Sequence, residues 1–193
     1  DSADYNEVFN GYDNEGYGGL FNGAIVAGVF DTTVGSDGYG GSIRRIYGVN
    51  IDGDEQLENT VDNAGIIVAG VMDSTANGDV ERIYGVNIDG DDAALNDVSN
   101  SGLILAGVID TTINNGNLED IYGIRIDGDD AGRDIKVLDI QVLDDDDFFS
   151  GNRVTNSGFV VAGVIGVDVQ GTGRTEIEDV YGIAIDGESA SEN

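Results

Sequence analysis

A nine-residue apolar segment occurs four times in this chain and limits its fold more than any other feature. The copies read GAIVAGVFD at 23–31, GIIVAGVMD at 65–73, GLILAGVID at 102–110 and GFVVAGVIG at 158–166. A second segment follows each copy, as IYGVNIDGD at 46–54, IYGVNIDGD at 83–91, IYGIRIDGD at 121–129 and VYGIAIDGE at 180–188. Self-similarity at a fixed period indicates a repeat protein, in which each unit buries its apolar face against its neighbours.

The spacing and composition of these segments predict an all-β fold. The second segments begin 37, 38 and 59 residues apart, so the last spacing is longer by 21 residues. That excess contains an alternating apolar run at 135–143, and we therefore predict a structural unit of about 19 residues, with two coils per repeat. Short strands rich in β-branched residues and separated by Gly, Asn and Asp are typical of a β-solenoid. The alternative is a two-layer β-sandwich.

The repeats predict one domain with short extensions. A single β-solenoid domain of four repeats, each of about 37 residues, is expected at 20–188, with an extra coil at about 131–153. Residues 1–22 are acidic, Gly-rich and aromatic. We interpret them as a cap on the first coil or as an arm that docks on a neighbouring subunit, because the ends of repeat proteins need covering. Residues 189–193 are expected to be a frayed tail.

The turn residues recur at the same spacing in successive repeats, and this pattern resembles that of a known class of proteins. Val-x-Asn-(Ala/Ser)-Gly precedes the apolar segment at 61–65, 98–102 and 154–158. Asn and Gly are the residues that most readily adopt left-handed backbone angles in turns. Together with Tyr-Gly-(Val/Ile)-x-Ile-Asp-Gly, this pattern resembles the β-helix repeats of autotransporter passenger domains and filamentous-haemagglutinin-like adhesins over residues 20–188. The resemblance implies a right-handed parallel β-helix, secretion across an outer membrane and a surface or adhesive role.

The charge of the chain excludes several classes of partner. The 193 residues include 38 acidic and 8 basic ones, for a net charge of −30. Nucleic acids and anionic membrane surfaces require basic patches, so neither is an expected partner. No apolar run is long enough for membrane insertion. Because the chain begins at Asp1, we interpret it as a mature protein, extracellular or on the cell surface after removal of a signal peptide.

An enzymatic function is not expected from this sequence. The chain has no Cys and no His, which removes thiol chemistry and the commonest general base. Some parallel β-helices hydrolyse or cleave polysaccharides with clustered carboxylates. The acids here occupy equivalent turns in successive repeats, whereas a catalytic site normally breaks the repeat. We predict no catalytic residues. A partial Thr column also falls short of the regular array that ice binding needs.

Both faces of the first segment are apolar, although only one can line the core of a single-layer wall. We expect Ile25, Ala27, Val29 and their equivalents inside. The other face would be covered by residues 1–22 or 135–143, would be a subunit interface, or would be buried in a sandwich. The predicted assembly interface consists of Ile66, Val68, Met72, Leu103, Leu105, Ile109, Phe159, Val161 and Ile165, with Ala24, Val26 and Phe30 in repeat one.

The Ile-Asp-Gly-Asp turns are the candidate metal site. The predicted ligands are Asp52, Asp54, Asp89, Asp91, Asp127 and Asp129. With two coils per repeat these acids would recur about 10 Å apart. A hard cation with oxygen ligands, such as Ca²⁺, would relieve their repulsion. The simpler interpretation is a turn with solvated acids.

The sequence therefore predicts a structural subunit of an extracellular filament or surface matrix that assembles with itself. Assembly would be head-to-tail or strand-mediated, because uncapped strand edges template further pairing. Divalent cations are possible additional partners. The alternative function is a secreted autotransporter-like adhesin that binds a surface or a glycan as a monomeric rod.

Overall fold

The computed structural model describes residues 6–11, 23–36, 40–128, 152–171 and 176–186, and within these ranges the chain is all-β without a helix. The strands are β1 (Glu7–Asn10), β2 (Ala24–Phe30), β3 (Thr33–Val34), β4 (Ile43–Asp52), β5 (Glu55–Leu57), β6 (Thr60–Asn63), β7 (Ile66–Met72), β8 (Thr75–Ala76), β9 (Val80–Asp89), β10 (Asp92–Ala94), β11 (Asp97–Asn100), β12 (Leu103–Ile109), β13 (Thr112–Asn114), β14 (Leu118–Asp127), β15 (Arg153–Asn156), β16 (Phe159–Ile165), β17 (Asp168–Gln170) and β18 (Val180–Asp186). The long strands are rich in β-branched and aromatic residues, which favour extended structure.

These strands form four four-stranded sheets and one two-stranded sheet, and the pairing between them is parallel throughout. Sheet 1 has the order β1-β6-β11-β15, sheet 2 β2-β7-β12-β16, sheet 3 β3-β8-β13-β17 and sheet 4 β4-β9-β14-β18, while β5 pairs with β10. We call β1–β4 the N-terminal edge and β15–β18 the C-terminal edge. The all-β prediction is confirmed, and parallel strands in stacked sheets are compatible with the predicted β-solenoid.

The strand register pairs equivalent segments that lie a whole repeat apart in the chain. Ile67 in β7 lies opposite Ile104 in β12, 37 residues later in the chain. The first and second segments of a repeat lie in different sheets instead of on top of each other. The predicted unit of about 19 residues is therefore wrong for the described residues. Equivalent residues lie on adjacent strands, about 4.8 Å apart, and not at twice that distance.

Residues 7–10 belong to the repeat pattern, although the sequence places them in a separate cap or arm. Val8 lies opposite Val61 at the edge of sheet 1. The signal for this strand is Asn-x-Val-x-Asn, which occurs at 6–10, 59–63, 96–100 and 152–156. The remainder of 1–22 lies outside the described residues, apart from Asn6 and Gly11. The extra coil at 131–153 does too, except for its last two residues, as does the tail at 189–193.

Two apolar clusters form the core, and a column of glycines separates them. Ile46 and Ile83 belong to one cluster and Val49 to the other. Because Ile46 and Val49 both face the core, the two-residue alternation of the second segment changes phase between them, at Gly48. A Cβ on Gly48 would lie 2.4 Å from Cγ2 of Ile67, so sheets 2 and 4 approach too closely here for any side chain.

Candidate assembly surface and acidic groove

The outer face of sheet 2 is an apolar surface, as the sequence predicts. The register aligns its predicted residues in three columns across the four strands. On the outermost strands Phe159 is 70%, Val26 60% and Ile165 59% exposed. The equivalent side chains on β7 and β12 are half-buried. Exposed apolar surface of this extent is typical of an interaction site.

The opposite face of sheet 2 is buried, which confirms the predicted division of the first segment. Ile67, Ala69 and Val71 have no solvent exposure. Exposure of the outer face argues against the sandwich interpretation, in which central strands are covered on both sides. The segments proposed to cover this face, at 1–22 and 135–143, lie largely or wholly outside the described residues.

Two ladders of buried asparagines run across sheet 1 and its margins. In the first, Asn10 Nδ2 donates to Asn63 Oδ1 at 2.8 Å, Asn63 to Asn100 at 2.7 Å, and Asn100 to Asn156 at 2.8 Å. The second ladder consists of Asn6, Asn59, Asn96 and Asn152. Buried amides are tolerated only when their polar atoms are paired, and stacking identical residues on adjacent strands provides the partners.

Both ladders have a direction. Each amide nitrogen donates to the residue nearer the C-terminal edge, and each amide oxygen accepts from the residue nearer the N-terminal edge. The first ladder ends at Asn156, which is exposed. The chain therefore presents an amide donor at its C-terminal edge and, at Asn10, an amide acceptor at its N-terminal edge. The turn pattern of the sequence predicts Asn63, Asn100 and Asn156 only as turn formers.

The two-residue alternation of the second segment predicts that Tyr47 faces the interior with Val49 and Ile51, but in the structure sheet 4 carries its tyrosines as a separate column. The rings of Tyr47, Tyr84, Tyr122 and Tyr181 follow one another with centroids 5.2, 5.3 and 5.4 Å apart. The guanidinium carbon of Arg125 lies 5.5 Å from the Tyr84 centroid and 5.9 Å from that of Tyr122, close enough for cation–π attraction. Arg125 belongs to the mostly polar column of Asn50, Asn87 and Ala184, and its contact with the rings places them on the same side of the sheet.

Burial of the tyrosines predicts a loss of stability at alkaline pH. Burial, and secondarily Asp120, raises the pKa of Tyr84 well above 10.0, and the same causes raise that of Tyr122 to about 12. Unfolded tyrosines lose their protons near pH 10 while the folded ones keep them, so the free energy of unfolding should fall between about pH 10 and pH 12. Urea unfolding across this range checks it. Tyr84→Phe, which cannot ionise, should show a smaller fall, and an equal fall would contradict this explanation.

The predicted metal ligands meet in one open groove. Asp52, Asp89 and Asp127 lie on adjacent strands of sheet 4. The groove has a volume of about 370 Å³ and is lined by Asp52, Gly53, Asp54, Asp89, Gly90, Asp91, Asp127 and Gly128. The sixth predicted ligand, Asp129, lies outside the described residues.

The described residues do not fit a coordinated metal ion. No three acidic side chains among them converge closely enough to hold one. Arg125, for which the sequence predicts no binding role, lies among these acids. Its Nη1 is 3.1 Å from Asp89 Oδ2 and its other amino group contacts Asp127. Burial nevertheless raises the pKa of Asp127, with help from Asp89, against the lowering effect of Arg125. The acids in the groove are thus only partly neutralised by the chain itself.

Comparison with protein-family models, with curated proteins and with solved structures finds no match for this chain. The part of the chain that the structure describes contains no helix with the length and hydrophobicity needed to span a membrane.

Proposed function

We propose that this chain is a structural subunit of an extracellular filament or surface matrix and that it assembles with copies of itself. We infer that its fold is a right-handed parallel β-helix, as the resemblance of its repeats implies, and the pairing of Ile67 with Ile104, 37 residues later, supports one coil per repeat. The observation that carries the proposal is the apolar outer face of sheet 2, where Phe159, Val26 and Ile165 are more than half exposed. A second copy is a partner that can bury such a face.

The strand edges support the same function. The outermost strand of a parallel sheet has unpaired backbone groups, which can pair with a further strand. The N-terminal and C-terminal edges carry different residues, so contact between them is heterologous and can continue without closure, which gives a filament. The extracellular location is supported by the resemblance of the repeats to those of secreted passenger domains.

Calcium is part of the proposal as a counter-ion and not as a coordinated centre. Asp52, Asp89 and Asp127 stack on adjacent strands, and Arg125 bonds only two of them. Assembly brings together further copies of a chain with a net charge of −30. Divalent cations that accumulate along the groove reduce this repulsion.

Electron microscopy of negatively stained protein, with calcium and with chelator, tests the proposed function. We expect filaments of constant width in calcium and fewer or shorter ones in chelator. Sedimentation velocity at rising protein concentration should show a matching growth in mass. Monomers at high concentration, in all salt conditions, would overturn the proposal.

Glycan binding is the second candidate function. It is favoured by the C-terminal end of the tyrosine column of sheet 4, since an exposed aromatic ring close to an Arg side chain forms a surface on which a sugar ring can stack. Tyr181 is 48% exposed and Arg125 lies beside Tyr122. Short single rods in both calcium and chelator would favour this adhesin function over the filament.

A further inference from the structure

We propose that copies of this chain dock end to end, with the C-terminal edge of one copy paired in register against the N-terminal edge of the next. The inference rests on the proposed self-assembly and assigns its contact surface and its register. β2 contacts β4, and β16 contacts β18, so the outer strands of sheets 2 and 4 meet at each end of the molecule.

The C-terminal edge exposes a cross-section of the core. Val180 is 37% and Ile183 43% exposed, whereas the equivalent Ile46 and Val49 at the N-terminal edge are each 7% exposed. The two edges are thus unequal, and the C-terminal edge is the one that gains apolar burial from a partner. At the N-terminal edge the contact runs through the strand backbones and through the outward-facing columns.

Charge complementarity fixes the partner as a second copy. Three columns end in a cation at one edge and an acid at the other, so docking in register places Arg153 against Glu7, Glu178 against Arg44 and Asp179 against Arg45. Cations are scarce in this chain, with 8 among 193 residues. Three of these cations lie at an edge, and in each case the same column ends in an acid at the other edge. This arrangement favours docking of the chain to a second copy.

Equivalent ion pairs already occur within the chain. Arg44 Nε lies 2.7 Å from Glu81 Oε1 on the next strand, and Arg82 Nε lies 4.0 Å from Asp120 Oδ2. Docking would repeat this geometry at the junction. It would also relieve the crowding of acids at the C-terminal edge, where the Glu176 carboxylate raises the pKa of Glu178.

The asparagine ladder supplies the register. Asn156 Nδ2 at the C-terminal edge would donate to Asn10 Oδ1 of the next copy, as each Asn in the ladder donates to its neighbour at 2.7–2.8 Å. In one acidic column docking would bring like charges together, because Asp186 would face Asp52. In a second acidic column this repulsion is absent at the junction, because Gly166 stands at the C-terminal edge where its three equivalents are Asp31, Asp73 and Asp110.

Glycines at the C-terminal edge make the inference testable without damage to the fold. A Cβ on Gly85 would lie 2.5 Å from the carbonyl oxygen of Gly123, and one on Gly107 would lie 2.6 Å from that of Gly163. The last glycines of these two columns, Gly163 and Gly182, have no atom within 4 Å of an added Cβ. In the docked pair a Cβ on Gly163 would meet the carbonyl oxygen of Gly28 of the next copy, and a Cβ on Gly182 would meet that of Gly48.

We therefore expect Gly182→Ala to fold normally and to associate at least tenfold more weakly, as sedimentation velocity of the full chain in salt measures. Gly163→Ala should behave in the same way. Ala184→Ser is the matched control, since it adds one atom at the same edge in a column that elsewhere holds Asn50, Asn87 and Arg125. It should change association by less than threefold. Circular dichroism and urea unfolding confirm the fold of each variant.

A charge exchange tests the register independently. Arg45→Asp places an acid beside Arg82 within the chain, and Asp179→Arg places a cation beside Asp120, so neither creates a like-charged neighbour in the fold. Each creates like charges at the junction and should weaken association about three- to tenfold. The double variant restores opposite charges and should recover the parent's association. These effects should shrink at high salt.

The outcomes separate the two proposals. If the parent chain stays monomeric in all conditions, the proposed function fails and the docking geometry fails with it. If the parent assembles and Gly182→Ala assembles equally well, the function stands and end-to-end docking is wrong, which would direct attention to the outer face of sheet 2. Equal weakening in Gly182→Ala and Ala184→Ser, or no recovery in the double charge variant, would contradict the in-register contact.

Discussion

Replacing Asn63 with alanine should lower the free energy of unfolding by about 2–5 kcal/mol, because two buried amides lose a partner each. Asn10 Nδ2 loses the oxygen to which it donates at 2.8 Å and keeps only the carbonyl oxygen of Ile66 at 3.0 Å. The larger effect is at Asn100, whose buried Oδ1 loses the donor that lies 2.7 Å away. Asn63 has no solvent exposure. Its backbone neighbours keep their strand pairing, so the loss comes from unsatisfied polar groups. Urea unfolding followed by circular dichroism measures it as a lower midpoint at an unchanged slope.

Asn156→Ala is the matched control for this prediction. Asn156 occupies the same column but is exposed at the C-terminal edge, and it accepts one bond from Asn100. That nitrogen retains the carbonyl oxygen of Phe159 at 3.2 Å. The expected loss is below about 1 kcal/mol. The experiment requires protein concentrations below those of assembly, since association adds apparent stability. Equal losses in the two variants would show that burial of the ladder is not the source of its stability.

The sequence predicts the strands and the inner face of sheet 2 correctly because both follow from local pattern. Alternating apolar residues such as Ile67, Ala69 and Val71 decide which side is buried. The length of the coil cannot be read in this way, since it depends on which segments pair. An insertion of about half a repeat suggested a half-repeat unit, whereas Ile67 pairs with Ile104 a whole repeat later. The interior position that the alternation predicts for Tyr47 is wrong, because the strand changes phase at Gly48.

The candidate site was partly predictable for the same reason. Repetition alone indicates that Asp52, Asp89 and Asp127 share a column, and the structure places them in one groove. It does not indicate that Arg125 lies between two of these acids, because that contact depends on the rotamer of a long side chain. Direction in the asparagine ladder is likewise invisible in the sequence, since an amide can donate toward either neighbouring strand.

Gly85→Ala should destabilise the fold by about 3 kcal/mol, because the added methyl group overpacks the glycine column between the two core clusters. The added Cβ would lie 2.4 Å from Ile104 Cγ2 and 2.5 Å from the carbonyl oxygen of Gly123. The first contact can be relieved by a smaller side chain, whereas the second involves backbone held by the pairing of β9 with β14. We therefore expect that the additional change Ile104→Ala does not restore stability, and that it adds the loss of a buried side chain. The urea midpoint of each variant measures this.

Gly182→Ala provides the comparison, because the same column reaches open space at the C-terminal edge. No atom lies within 4 Å of a Cβ added there, and the substitution should change the free energy of unfolding of the monomer by less than about 1 kcal/mol. The difference in the free energy of unfolding between Gly85→Ala and Gly182→Ala thus measures the steric cost of a side chain where another strand is stacked against the glycine. If both substitutions leave the free energy of unfolding of the monomer nearly unchanged, sheets 2 and 4 can move apart at the glycine column. The close approach of the strands would then no longer explain why glycine recurs at this position in all four repeats.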